Sequence, residues 1–182
     1  MKSNKLQTLD LVFIALFVAF LTIGAYIRIP LPFSPVPISF QLLFVFLSGY
    51  VLKPPYGFVS CLLYVLLGLS GLPIFVGGGG IGYLTRPTFG YLLGFIVTSQ
   101  VIALLMKRKQ NPWVNHYLFA GVIGWLALYA VALTYNWILF KYIILTPLDL
   151  HHLFVSFFFL FIPNDLLSLY LAIVISRRLK KS

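Results

Sequence analysis

Acidic side chains are nearly missing from this sequence. It holds no glutamate, and its three acids are Asp10, Asp149 and Asp165. So few carboxylates leave little material for acid–base or metal chemistry, and neither a Ser-His-Asp set nor a two-carboxylate set can be assembled from them. Cysteine is limited to Cys61, which sits in an apolar run as a small hydrophobe and says nothing about redox compartment. Charged residues are only 9% of the chain, against 61% hydrophobic residues and a mean hydropathy of +1.02. No soluble domain hides that much apolar surface, so the chain reads as an integral membrane protein. A net charge of +10 suggests nucleic acid at first, but the basic residues fall in short clusters between apolar runs. That distribution is an orientation signal, not a nucleic-acid stripe.

What is present is a series of apolar runs with stiff punctuation. A transmembrane helix takes about 20 apolar residues. Leu11 to Ile27 is the first span, too long for a signal-peptide core and without a small-residue cleavage site. Prolines at 30, 32, 35 and 37 then forbid helix and impose an extended, semi-rigid loop. Ile38 to Leu52 is a short second span ended by Lys53-Pro54-Pro55, and Tyr56 to Leu69 is the third. Pro87 starts a fourth, running to Met106; the fifth covers about Tyr117 to Phe140 and the sixth about Leu153 to Ser176. The expectation is an all-α, six-transmembrane-helix bundle forming a single domain over residues 1–182.

With the amino terminus inside, the inner segments hold Lys2, Lys5, Lys53, Lys107, Arg108, Lys109, Arg177, Arg178, Lys180 and Lys181, ten of the thirteen Lys and Arg residues. Both termini are therefore expected in the cytoplasm. The proline loop and the glycine stretch then share the outer face. That stretch, Gly68 to Gly94, holds nine of the fourteen glycines, and Gly77 to Gly80 cannot be helix interior. Irregular backbone beside membrane-length runs is tolerated where protein buries it or where it lines a cavity. It is either the wall of a small-molecule site or a flexible turn.

Asp165 follows Pro163-Asn164 near the middle of the last apolar run, where a charge costs at least ~2.5 kcal/mol. It has three readings: a ligand's N–H acceptor, an ion pair with Arg86, or a proton relay. Arg86, beside a helix start, makes a carboxylate site or anchors at the headgroups. Arg28 reads as an anchor, and Gln41 points an amide into the outer mouth or packs on a neighbouring helix. Gly77-x-Gly79-x-x-Gly82 spells a dinucleotide fingerprint, but a membrane helix precedes it and no acid follows at ribose distance. No Gly-Lys-Ser/Thr follows either, so the chain has no ATP-hydrolysing loop. Asp149, His151 and His152 at a span boundary read as interface anchoring ahead of a metal site, and His116 receives no role. The aromatic residues, 18% of the chain, read as mostly lipid-facing or interfacial.

Several of these stretches together carry a resemblance: Ala15-Leu-Phe-Val-Ala19, Arg28-Ile-Pro-Leu-Pro, Pro35-Val-Pro-Ile-Ser-Phe-Gln41, Leu63 to Phe75, Gly77 to Gly80, Arg86 to Phe95, and Phe161-Ile-Pro-Asn-Asp-Leu-Leu167. In this order they resemble the BioY family, the substrate-binding (S) components of energy-coupling factor (ECF) transporters for biotin, over most of the chain apart from the fifth span. The resemblance implies a biotin pocket open to the outside, in a prokaryotic cell membrane, with no cofactor, metal or nucleic acid. The expected substrate-binding residues are Gln41, Phe75, Gly77, Gly78, Arg86, Tyr91, Asn164, Asp165 and Ser168, and on the family pattern Asp165 would accept from the ureido N–H groups. Ala15 and Ala19 would dock a transmembrane coupling subunit driven by two ATPase subunits. One departure stands out: the family usually reads Gly-Asp-Leu-Leu-Lys where this chain has Asn164 to Ser168, and Arg86 stands where many relatives have Gly. Arg86 is then a candidate for the missing positive charge. The competing expectations are another vitamin as ligand, a carrier working alone, and an intramembrane enzyme on a lipid or prenyl substrate using Asp165 and the outer histidines. The scarcity of acids weighs against the enzyme.

Overall fold

Proline and glycine cut the chain into its elements. The structure, a computed structural model, describes residues 8–31, 34–107, 113–145 and 149–181; of residues 150, 152, 153, 180 and 181 it describes the backbone alone. Lys2, Lys5, Pro32, Arg108 and Lys109 thus lie outside the described residues, as do the side chains of His152, Lys180 and Lys181. Helix α1 spans Thr8–Tyr26, followed by a two-residue hairpin in which β1 (Arg28–Ile29) pairs antiparallel with β2 (Ile38–Ser39). The prolines between them lack N–H donors, so the loop closes through the flanking residues instead. Then come α2 (Gln41–Val51), α3 (Tyr56–Leu69), a 3-10 turn (Ile81–Thr85) and α4 (Thr88–Met106), with Pro87 just ahead of its first turn. Helix α5 (Val114–Ile138) runs on into one π turn (Leu139–Ile143).

The last apolar run departs from expectation. It is not one helix over 153–176 but α6 (Leu150–Phe157), a 3-10 turn (Phe159–Phe161) and α7 (Ile162–Lys181). Pro163 explains the break: in a continuous helix its ring would strike the carbonyl four residues earlier and its missing N–H would leave that carbonyl unpaired. In the first turn of a new helix proline costs nothing of the kind. Asp165 therefore lies in the first turn of α7, where the helix dipole favours an anion, rather than at mid-helix.

Among the described residues, four segments are long and apolar enough to cross a membrane: Thr8–Tyr26, Thr88–Met106, Val114–Ile143 and Phe154–Leu179. Helices α2 and α3, of 11 and 14 residues, are shorter. Helix α2 is the hub, packed between α4 and α7 with α1 beside it, and nine of its residues are buried. Small residues let these helices close in. A Cβ on Gly94 of α4 would strike the Leu128 side chain on α5, and one on Gly57 of α3 would strike the Ser99 hydroxyl of α4. Ser99 and Ser48 share a hydrogen bond of 2.7 Å at that crossing. With α2 fixed this way, its first residue, Gln41, is held at the end of the bundle where the hairpin and the glycine stretch meet.

Candidate functional site

The glycine stretch folds as a tight double turn. Phe75 and Gly78 exchange backbone hydrogen bonds of 2.9 and 3.2 Å, and Gly78 and Gly80 have φ of 113° and 93°, values that L side chains rarely adopt. Tyr64 on α3 donates to the Ile74 carbonyl at 2.7 Å and receives the Gln41 amide at 2.8 Å, tying the turn to α2. Across the mouth, the Ser34 hydroxyl donates to the Ser156 carbonyl at 2.8 Å, joining the hairpin loop to α6. These two segments, far apart in sequence, cover one end of the bundle together.

Under them is a partly open cavity with about 530 Å³ of non-atom space, the open solvent at its mouth included. Its roof is Val36, Pro37 and Val76; its walls include Gln41, Tyr83, Thr88, Tyr91, Tyr129, Asn164 and Asp165, with Leu92, Phe95, Leu128 and Phe161 as apolar surface. That mix of apolar wall and few polar groups is the composition of a small-molecule site. Asp165 is only 4% exposed. Its Oδ2 accepts from Trp125 Nε1 at 2.9 Å and from the Tyr129 hydroxyl at 2.6 Å, and neither bond uses Oδ1. Gln41 and Asn164 direct their NH2 groups to protein acceptors, the latter to the Ser39 carbonyl at 3.2 Å. One N–H of each amide is thereby engaged, and the Asp165 carboxylate is the acceptor in the wall that suits a ligand carrying N–H groups.

A second, outer chamber is lined by Arg28, Pro35, Gly77, Arg86 and Pro87, and shares Pro37, Val76, Tyr83 and Thr88 with the deep one. Arg86 Nη1 donates to the Gly77 carbonyl at 3.1 Å and its guanidinium lies 5.4 Å from the Tyr83 ring centre. Arg86 is thus a vestibule residue held by the glycine turn, while Asp165 has Trp125 and Tyr129 as partners. Burial raises the Tyr83 hydroxyl above the usual tyrosine value, so it stays protonated in the neutral range.

Of the residues expected at the site, Gln41, Tyr91, Asn164 and Asp165 line the deep cavity, and Gly77 and Arg86 line the vestibule. Three others do not reach either. Phe75 is buried against Gly68, Tyr64 and Tyr83; Gly78 acts through its backbone; Ser168 is fully buried one turn beyond Asp165. Ala15 and Ala19 are exposed on α1, on the face opposite buried Ile14, Phe17 and Leu21. Trp125, Tyr129, Tyr83 and Thr88 join the site without a motif that marks them. Their signal was weak, since Trp125 and Tyr129 sit in a run where aromatic residues read as lipid-facing. The aromatics divide: Tyr50, Tyr64, Tyr83, Tyr91, Tyr117 and Tyr129 are buried, whereas Tyr26, Trp113, Trp137, Tyr142 and Tyr170 are exposed.

Long apolar helices around a roofed cavity with a buried carboxylate define a membrane-embedded solute-binding protein. The chain belongs to the BioY family, whose model matches residues 1–182. Among its relatives, the "Biotin transporter BioY" of Thermotoga maritima is 41% identical over 91% of this chain and 92% of its own length. The "Probable biotin transporter BioY" of Lysinibacillus sphaericus is 46% identical over 72% of this chain, and the match spans 66% of that relative. The "Biotin transporter BioY" of Lactococcus lactis is 31% identical over 98% of this chain and 94% of its own length. A crystal structure described as the S-component for biotin from an ECF-type ABC transporter superposes with a TM-score of 0.83 at 28% identity, covering 100% of this chain and 96% of that one.

Proposed function

We propose that this chain is the biotin-binding S component of an ECF-type vitamin uptake transporter. The role is binding, not catalysis. The observation that carries the reading is the buried Asp165 carboxylate in the wall of a cavity in a member of the BioY family. The ureido ring lies at the deep end, its N–H groups toward Asp165 and Asn164, and its fused ring rests on Leu92, Phe95 and Phe161. The valerate chain runs to the vestibule, where Arg86 meets the carboxylate in place of the lysine absent at Ser168.

The bundle crosses the cell membrane of a prokaryote six times as one domain, with α2 and α3 as short spans. Both termini are cytoplasmic, as the distribution of Lys and Arg supports. No cofactor takes part. The exposed Ala15–Ala19 strip lets a coupling subunit approach α1 closely, and two ATPase subunits supply the energy. Titration of the purified protein in detergent with labelled biotin tests the reading: saturable one-to-one binding with the ligand recovered unchanged is expected. No binding rejects it.

A further inference from the structure

Trp125 and Tyr129 stand one helical turn apart on α5 and donate to the same atom, Asp165 Oδ2. Tyr129 lines the cavity, but Trp125 does not and reaches the carboxylate from outside it. Both rings are held in place. Phe158, at the break between α6 and α7, packs on Trp125 at 5.3 Å and on Tyr129 at 4.6 Å, and Trp125 stands edge-on to Tyr129 at 5.3 Å.

An unheld carboxylate turns in a broad, two-fold χ2 well and presents either oxygen. Two donors on one oxygen end that freedom and use its two lone-pair sites, so the remaining capacity to accept lies on Oδ1, with the Asn164 amide as a further neighbour of the carboxylate. From this geometry we infer that Trp125 is a positioning residue that sets ligand selectivity. By pinning Oδ2 from behind, it makes Asp165 a one-oxygen acceptor matched to a single N–H of a planar ligand. The inference rests on the biotin reading above, because it assigns one ureido N–H to Oδ1.

The test uses the full-length protein in detergent and three ligands: biotin and the two cyclic carbamates in which one or the other ureido N–H is replaced by oxygen. Trp125→Phe is expected to weaken biotin about tenfold, the scale of a hydrogen bond to a charged group. One of the two carbamates, the one lacking the N–H that faces Asp165, is expected to bind Trp125→Phe and unmodified protein alike. Tyr129→Phe supplies a second variant with the same expected pattern. Equal losses for all three ligands, no loss of biotin, or collapse of binding to every ligand in both variants overturns the positioning role. Failure of the unmodified protein to bind biotin overturns instead the reading on which it rests, and with it this inference.

Discussion

The Thr88 hydroxyl donates to the Tyr83 hydroxyl at 2.9 Å, and both residues line the deep cavity and the vestibule alike. The bond joins the first turn of α4 to the 3-10 turn that follows the glycines, so it sits where the two chambers meet, on the path proposed for the ligand.

A neutral hydrogen bond of this kind contributes about 0.5–1.5 kcal/mol. If it breaks during passage and reforms in both end states, its loss lowers one barrier seen from both sides. Thr88→Val, which keeps the side-chain shape, is therefore expected to speed biotin association and release by about two- to tenfold each while leaving Kd within a factor of two. Stopped-flow association and a chase with unlabelled ligand measure the two rates. Unchanged rates mean the bond is not on the path.

Asp165→Asn separates folding from recognition. The amide oxygen can still accept from Trp125 and Tyr129, so the thermal transition in detergent is expected to move little. The NH2 group then faces the cavity where Oδ1 did, setting donor against donor. Loss of a charge-assisted bond and creation of that clash predict a fall in biotin affinity of about a hundredfold or more. A variant that binds within threefold of the unmodified protein by calorimetry removes Asp165 from the site.

How much of this was legible beforehand differs residue by residue. Asp165 and the glycines were visible because each breaks a rule of the membrane: a charge in an apolar run, and irregular backbone at helix ends. The break in the last run was written in Pro163, yet apolar length masked it. Trp125 and Tyr129 obey every membrane rule, so nothing in the sequence separates them from lipid-facing rings. Their role comes from the register between α5 and α7, which only folding sets. The same holds for Phe75, whose position in a motif suggested ligand contact but whose ring fills the gap beside Gly68.

That gap yields a stability prediction. A Cβ at Gly68 would overlap the Phe75 ring, which is also held by Tyr64 and Tyr83 at 5.4 and 4.6 Å between ring centres. A ring gripped on three sides cannot move aside cheaply, so Gly68→Ala is expected to destabilise the protein by about 1–3 kcal/mol. Phe75→Leu opens space and should recover part of that loss when combined with it, a non-additive pair. Thermal unfolding of the two single variants and the double variant checks this; strict additivity contradicts it.

Arg86 has one observed contact and one proposed role, which a single substitution removes together. Its Nη1 holds the Gly77 carbonyl, and its charge faces the vestibule where the valerate carboxylate is placed. Arg86→Ala loosens the glycine turn for any ligand, so a bare loss of biotin binding decides nothing. Comparison with biotin amide does, because the amide keeps the shape and drops the charge. Both ligands are expected to lose affinity by the common amount due to the turn, with biotin losing a further several-fold. The extra part stays modest because Arg86 is exposed, leaving water to screen the charge. It should shrink as salt is raised, whereas the common part should not. Equal losses at every salt concentration would leave Arg86 as a support for the turn and give the carboxylate no cation there.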